Sequence, residues 1–412
     1  MIKLRNNRRG LAAALVAGCL VMALAGCSSS GTSDASVSDA DVDAGVEEAA
    51  RVAKLANTTL LYGPTTGAVK ADQLRAPEPS DIKAFAYKPS AGPKPTIAIL
   101  SCAAVSAQCV HTTDLIHAYL GKLDIESSII NSDYTPAGNQ QAMNTALSKN
   151  VDAIILDGIA PKTIGAQLAR AKESGVFVAA VVGTPDTIGG NLDAYVPQGA
   201  NLYQAAVAAQ ITVETEGRGV VTWLTAPEFP ELEEFAGTGF LKEVCPGCSL
   251  TEGTETAEQV TNPVKMGGLV TSFMRRTPDT DYFTLASACA DLQSASAALR
   301  QTDAKLAGGG CGGTAVAAMN AGYLSFATGT VEPWGALAVI DQVLRLLAGE
   351  KPLPVTEVGP AAYLFTPEST PDESTDGSYA KIDQWSVDAF DFVKPYSDAW
   401  GVDLSSVIAG EK

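Results

Sequence analysis

Few side chains in this sequence could do chemistry. Of its 412 residues only two are histidines, His111 and His117, and both follow Cys102 and Cys109 closely. Imidazole and thiolate are zinc ligands, so the cluster raises a metal site. At spacing i, i+6, however, the histidines point to different sides of a helix, unlike the i, i+4 pair of a zinc protease helix. A disulfide closing the loop from Cys102 to Cys109, with both histidines on or beside the next helix, is the simpler expectation, and no metal is expected.

Three further motifs carry chemistry in name more than in context. The run Gly308-Gly309-Gly310-Cys311-Gly312-Gly313 contains G-x-G-x-x-G. A dinucleotide loop needs a strand before it and a helix after it, so that phosphate meets a helix N-terminus. The pattern reads the other way, a helix over 291–302 before it and a strand over Thr314–Met319 after it, so a helix stop is expected and no cofactor. Cys245-Pro246-Gly247-Cys248 has redox spacing, but it follows a helix C-terminus, where the dipole opposes thiolate, and reads as a structural bridge. There is no G-x-S-x-G in the mature chain, and two histidines leave few choices of general base, so an enzyme is not expected. The run Glu231, Glu233, Glu234 reads as the solvated first turns of a helix.

The elements that would position these groups alternate regularly from Thr96. Short apolar runs at 96–100, 125–131, 151–156 and 176–182 are separated by helices near 112–122, 137–149 and 162–174. After Ala200 the alternation restarts: helix 201–216, strand 219–224, helix 231–244, strand 249–256, helix 263–275, strand 281–286. Strands apolar on both faces between helices predict parallel sheets covered on each side, and two such sets predict two α/β lobes. Ligands of open α/β sheets gather beyond the carboxyl ends of strands. Here those ends are Ser101 to Ala103, Asp157 to Ile159, Gly183 and Thr184, Thr225 to Phe229, Ser287, and Asn320.

The N-terminus gives an address. Lys3, Arg5, Arg8 and Arg9 precede an apolar run from Leu11 to Ala25, of signal-peptide length and too short to span a bilayer permanently. It ends Leu24-Ala25-Gly26-Cys27-Ser28-Ser29-Ser30, which resembles the lipobox of bacterial lipoproteins, so Cys27 is expected to carry a lipid (palmitate-type) anchor. Removing the four basic residues of 1–26, which hold no acid, takes the formal charge from −18 to −22. That balance repels nucleic acid and anionic membrane surfaces. Six cysteines remain, and of the fifteen possible pairings proximity favours Cys102–Cys109, Cys245–Cys248 and Cys289–Cys311, suited to an oxidising compartment. Residues 28–45 are too poor in apolar groups to fold and read as a tether, and 46–57 as a short helix.

From Pro95 to about Leu364 the chain resembles the periplasmic binding protein type I family, the ribose- and galactose-binding receptors of ABC importers, actinobacterial members included. The stretches that carry the resemblance are TIAILSCAAVSAQC, NQQAMNTALSKNVDAIILDG, AKESGVFVAAVVG and EPWGALAVIDQVLRLLAGEKPLP. It implies two doubly wound lobes joined by crossing strands, with 1–26 a signal peptide, 27–94 a tether and extension, 95–197 with 332–350 the first lobe, and 198–331 with 351–368 the second. Residues 369–412 lie beyond the family core, and Trp385, Phe390, Phe392, Tyr396 and Trp400 suggest that they pack on a lobe. It implies a monomeric, extracytoplasmic receptor that captures a small solute and delivers it to an ABC permease. A ligand-sensing lipoprotein and an exported hydrolase are the alternatives. Sugar receptors commonly clamp hydroxyls with Arg at places that here read Val182-Gly183-Thr184-Pro185 and Pro227-Glu228-Phe229-Pro230. Their hinge-side Asp corresponds to Asn320 and their Gln to the region of Val331 and Glu332. A cleft of Ser101, Asp157, Thr184, Glu228, Ser287, Asn320 and Glu332, with Phe229 and Trp334 for stacking, would repel phosphate and carboxylate. It would favour a neutral polyhydroxylated compound, with a cation or an aromatic or terpenoid solute as alternatives.

Overall fold

The computed structural model describes residues 37–88, 93–133, 135–182, 192–226, 237–256, 259, 262–286, 292–370 and 379–409. Chain order begins with helix α1 (Asp39–Thr58), then β1 (Thr96–Ser101), α2 (Ala107–Lys122), β2 (Glu126–Asn131), α3 (Pro136–Ser148), β3 (Ala153–Asp157), α4 (Gly165–Glu173), β4 (Phe177–Val181) and β5 (Ala194–Val196). A second series follows: α5 (Ala200–Glu214), β6 (Val220–Thr225), α6 (Gly237–Val244), β7 (Ser249–Thr254), α7 (Pro263–Arg276), β8 (Tyr282–Leu285), α8 (Leu292–Leu299), β9 (Lys305–Gly308), α9 (Gly312–Asn320) and β10 (Ala327–Thr330). The chain ends with α10 (Glu332–Leu347), β11 (Ala362–Phe365), α11 (Tyr379–Ala389), α12 (Val393–Trp400) and α13 (Ser405–Ile408).

Each series builds a lobe. The first sheet is parallel in order β2-β1-β3-β4-β5, the second parallel in order β7-β6-β8-β9. β3 is buried along its whole length and β1 nearly so, as their continuous apolar runs require when both faces are covered. In both sheets the order reverses beside the central strand, which opens a crevice at the strands' carboxyl ends. β10 and β11 pair antiparallel, and a Gly309–Thr328 bridge attaches them to β9. Between them the chain crosses back: α10 packs on β4, β5 and α2 of the first lobe. The fold is thus two doubly wound α/β lobes linked by crossing segments.

Two expectations need correction. Residues 314–319 are not a strand but the body of α9, and the strand is β9, before the glycines. Gly312, Gly313, Ala315, Val316, Ala318 and Met319 are all buried, and a short helix with most of its residues buried has nearly the same continuous apolar pattern as a buried strand. The glycine run therefore follows a strand and opens a helix, the reverse of the predicted context. Second, 37–45 is no tether. Ser38 and Asp41 form a capping box that starts α1 at Asp39, and Val42 is buried. Gly45 lies so close to the Val244 carbonyl that a Cβ would collide with it. Beyond α1, 59–75 is tied to β11: Leu61 exchanges backbone hydrogen bonds with Ala362 (2.8 and 2.9 Å), and Leu60, Leu61 and Leu74 are buried. The expected signal peptide and Cys27 lie outside the described residues. Among those described, no helix is long and apolar enough to cross a membrane.

Candidate functional site

The site starts from two neighbouring strand ends. Ser101 closes β1 and Asp157 closes β3, and the register pairs them directly. Both are buried, and neither Ser101 Oγ nor Asp157 Oδ2 has a hydrogen-bond partner among the described residues. Leaving such groups dry costs on the order of 1 to 3 kcal/mol each, which a fold tolerates where a ligand supplies the partner. Gly158 turns the chain away from Asp157 at φ 61°, and a Cβ there would lie 3.0 Å from Cys102 Cβ.

The loop after β1 is closed by the Cys102–Cys109 disulfide and capped by Ser106, whose side chain accepts from the Cys109 backbone N–H. That start of α2 delivers Gln108 and His111. His111 Nε2 stands 2.9 Å from Asp383 Oδ2 and 3.7 Å from Glu332 Oε2, and its ring stacks on Tyr379 at 4.3 Å between centroids. Glu332 is the first residue of α10, where the chain re-enters the first lobe. The second lobe contributes the glycine turn: a Cβ on Gly312 (φ 40°) would lie 3.0 Å from Glu332 Oε1, and Cys311 Sγ lies 3.1 Å from Gln108 Oε1. Gln108 of one lobe thus touches Cys311 of the other. The buried Tyr363 hydroxyl of β11 completes the wall.

Burial dominates the electrostatics. It pushes Glu332 up to about 8, Asp383 adds to the rise, and His111 and a hydrogen bond from Gln108 only partly oppose it. Asp157 is raised well above the carboxylate range by burial and then by Glu332, which places the two carboxyls within electrostatic reach. Burial also raises Asp383, against His111. For His111 burial works downward, but Asp383, Glu332 and Asp114 outweigh it and the imidazolium is favoured. Near neutral pH the cluster therefore offers a protonated carboxyl at Glu332, which donates and accepts, within electrostatic reach of Asp157, whose strand partner is Ser101. That suits hydroxyl-bearing ligands.

Ser101, Asp157 and Glu332 are brought together as the sequence predicts. Asn320 is not: it ends α9, exposed, about 12 Å of helix from the Gly312 end that faces Glu332. Its assignment rested on the strand that proves to be a helix. Trp334 is 2 % exposed, stacked between Tyr62 and Phe392 at 5.5 Å from each, because two residues along a helix turn it about 200° from Glu332. Thr184, Glu228, Phe229, Ser287 and Cys289 lie outside the described residues. Cys311 is disulfide-bonded, and a separate bridge joins Cys245 to Cys248. The sequence singles out His111 by the rarity of histidine but only as a metal ligand, and nothing in it marks Tyr379 or Asp383. His117 sits elsewhere, its Nδ1 2.7 Å from Ser127 Oγ. The one cluster with metal-ligand geometry among the described residues is Cys102, Cys109 and Asp157, whose thiols are consumed in the disulfide. Phosphate would meet a carboxyl already at the start of α9, so the glycine turn does not fit a dinucleotide.

A periplasmic binding protein domain model matches residues 107–351. No curated protein matches the chain by sequence. Among solved structures, a glucose-galactose binding protein from Geobacillus stearothermophilus aligns at TM-score 0.58 and 13% identity, over 68% of this chain and 100% of that one. An ABC sugar transporter subunit from Rhodobacter sphaeroides aligns at 0.56 and 16%, over 66% and 98%. A carbohydrate transporter from Acidothermus cellulolyticus, in complex with myo-inositol, aligns at 0.54 and 15%, over 72% and 99%.

Proposed function

The chain belongs to the periplasmic binding protein family, and from that premise we propose that it is a lipid-anchored extracytoplasmic receptor that captures a sugar or polyol between its lobes and presents it to an ABC permease. The observation that carries the ligand class is the buried Ser101–Asp157 pair, with polar atoms lacking partners among the described residues, facing a Glu332 carboxyl that is neutral near pH 7. Hydroxyls satisfy such a surface without bringing charge, whereas a phosphate or carboxylate would incur the cost of burying its charge among neutral carboxyls. The structural neighbours whose ligands are sugars or polyols, myo-inositol among them, support this reading. Lobe closure around the ligand would be the state the permease reads. The basic head, apolar run and Leu24-Ala25-Gly26-Cys27 support the anchor, and Cys289 is the partner proposed for Cys311.

A thermal-shift panel of uncharged sugars, cyclitols and alditols tests the ligand class, since a ligand at 100 times its Kd adds about 2.7 kcal/mol. At least one such compound should raise Tm in the wild type and fail in Asp157→Ala. A panel in which only anionic compounds raise Tm would overturn the reading.

A further inference from the structure

Helix α11 lies beyond the matched domain, yet it reaches into the site. Tyr379, its first residue, stacks on His111 of the first lobe, while its hydroxyl accepts from Thr314 and lies 3.4 Å from the Cys311 carbonyl oxygen of the second. Its ring is so close to the glycine turn that a Cβ on Gly312 would come within 2.6 Å of Tyr379 Cε1. One helical turn on, and so on the same face, Asp383 holds His111 at 2.9 Å, with Glu332 3.7 Å away on the same nitrogen. Trp385 packs edge-on against Phe365 (4.7 Å) and Tyr363 (6.3 Å) of β11, and Ile382 is buried in the core. One short helix therefore grips α2 of the first lobe and α9 and β11 of the second, and its polar face ends on His111, beside Glu332.

We propose that α11 is a strap across the interlobe site, supplied from outside the family domain, with Asp383 as the positioning residue that holds His111 against Glu332 and Tyr379 as the fastener between the lobes. The inference rests on the proposed ligand site for its effect on binding, but not for the strap itself. Separating the lobes must break either the Tyr379–His111 stack or the Tyr379 contacts with Thr314 and Cys311, so a strapped site exchanges ligand slowly. Replacing Asp383 by Asn keeps the shape but removes the charge that orients His111. Replacing Tyr379 by Phe keeps the stack, and by Ala removes the fastener.

Two measurements on the full mature protein test this. In hydrogen exchange without ligand, backbone amides at 107–111 and 313–316 should exchange at least ten-fold faster in Tyr379→Ala and Asp383→Asn than in the wild type, with β3 and β4 unchanged, and Tyr379→Phe, which keeps the stack but loses the hydroxyl contacts, should exchange faster than wild type at 313–316 and less so at 107–111. In stopped-flow with myo-inositol and D-arabinose as probes, the same two variants should raise the dissociation rate at least ten-fold while the association rate stays within three-fold. Exchange equal to wild type at both segments overturns the strap, whether or not either probe binds. Faster exchange with an unaltered dissociation rate overturns the positioning role of Asp383. If neither probe nor any other uncharged polyol binds the wild type, the proposed ligand class fails, and hydrogen exchange still decides the strap.

Discussion

Glu332→Gln should stabilise the ligand-free protein, and the size of the effect follows from burial. Glu332 is 7 % exposed, and its carboxyl is pushed up to about 8 from 4.5. A group with a raised folded pKa contributes stability that is complete below its unfolded pKa and is lost as pH rises through the folded one. For Glu332 that window runs from about pH 4.5 to about pH 8. At pH 7 the unfolded chain has released the proton and the folded chain still holds it, which costs the fold about 3 kcal/mol at 1.36 kcal/mol per pH unit. Gln has the same shape and needs no proton. The variant should therefore gain about 3 kcal/mol at pH 7 and under about 1 kcal/mol at pH 5. Urea unfolding of the oxidised protein, followed by far-UV circular dichroism between pH 4.5 and 8, measures both. The wild type should lose stability across that range, with Asp157, Asp383 and His111, all raised, contributing in the same direction. The variant should show a shallower slope. A Gln variant no more stable than wild type at pH 7, or one with the wild-type slope, would refute the claim that Glu332 is buried and neutral in the absence of ligand.

Cys27→Ala should move the protein from the membrane fraction to the soluble one without altering ligand affinity; equal membrane retention on fractionation would count against the anchor. Trp334→Ala removes the ring on which Tyr62, Phe390 and Phe392 all pack, so it should cost on the order of 3 to 5 kcal/mol in urea unfolding and loosen both terminal extensions to limited proteolysis. The paired change of Cys102 and Cys109 to Ala opens a short loop and should lower stability by about 2 kcal/mol, with weaker ligand binding because Ser101 and Gln108 flank that loop.

The central strands were legible because β1, β3, β4 and β6 are apolar on both faces, a pattern with one common explanation, and the parallel sheets followed. From the strand ends came Ser101 and Asp157, and from the family resemblance came Glu332. What escaped did so for identifiable reasons. Ala315 to Met319 is an unbroken apolar run because most of α9 is buried, so periodicity does not distinguish helix from strand there, and the placing of Asn320 at a strand end goes with it. Trp334, expected to stack in the cleft, stands two residues from Glu332, and the helix turns them to opposite sides. The start of α1 was present in Ser38-x-x-Asp41, but the polar composition around it argued for a tether. Asp383 and Tyr379 reach His111 across most of the chain, and no local pattern marks that contact.

The most direct test of the account is a calorimetric titration of the mature protein with myo-inositol and with an inositol monophosphate, in the wild type and in Asp157→Asn. The account predicts that the neutral polyol binds the wild type at least 100-fold more tightly than its phosphate, and that Asp157→Asn weakens it at least ten-fold. Equal or tighter binding of the phosphate would contradict a site built from Ser101, Asp157 and Glu332.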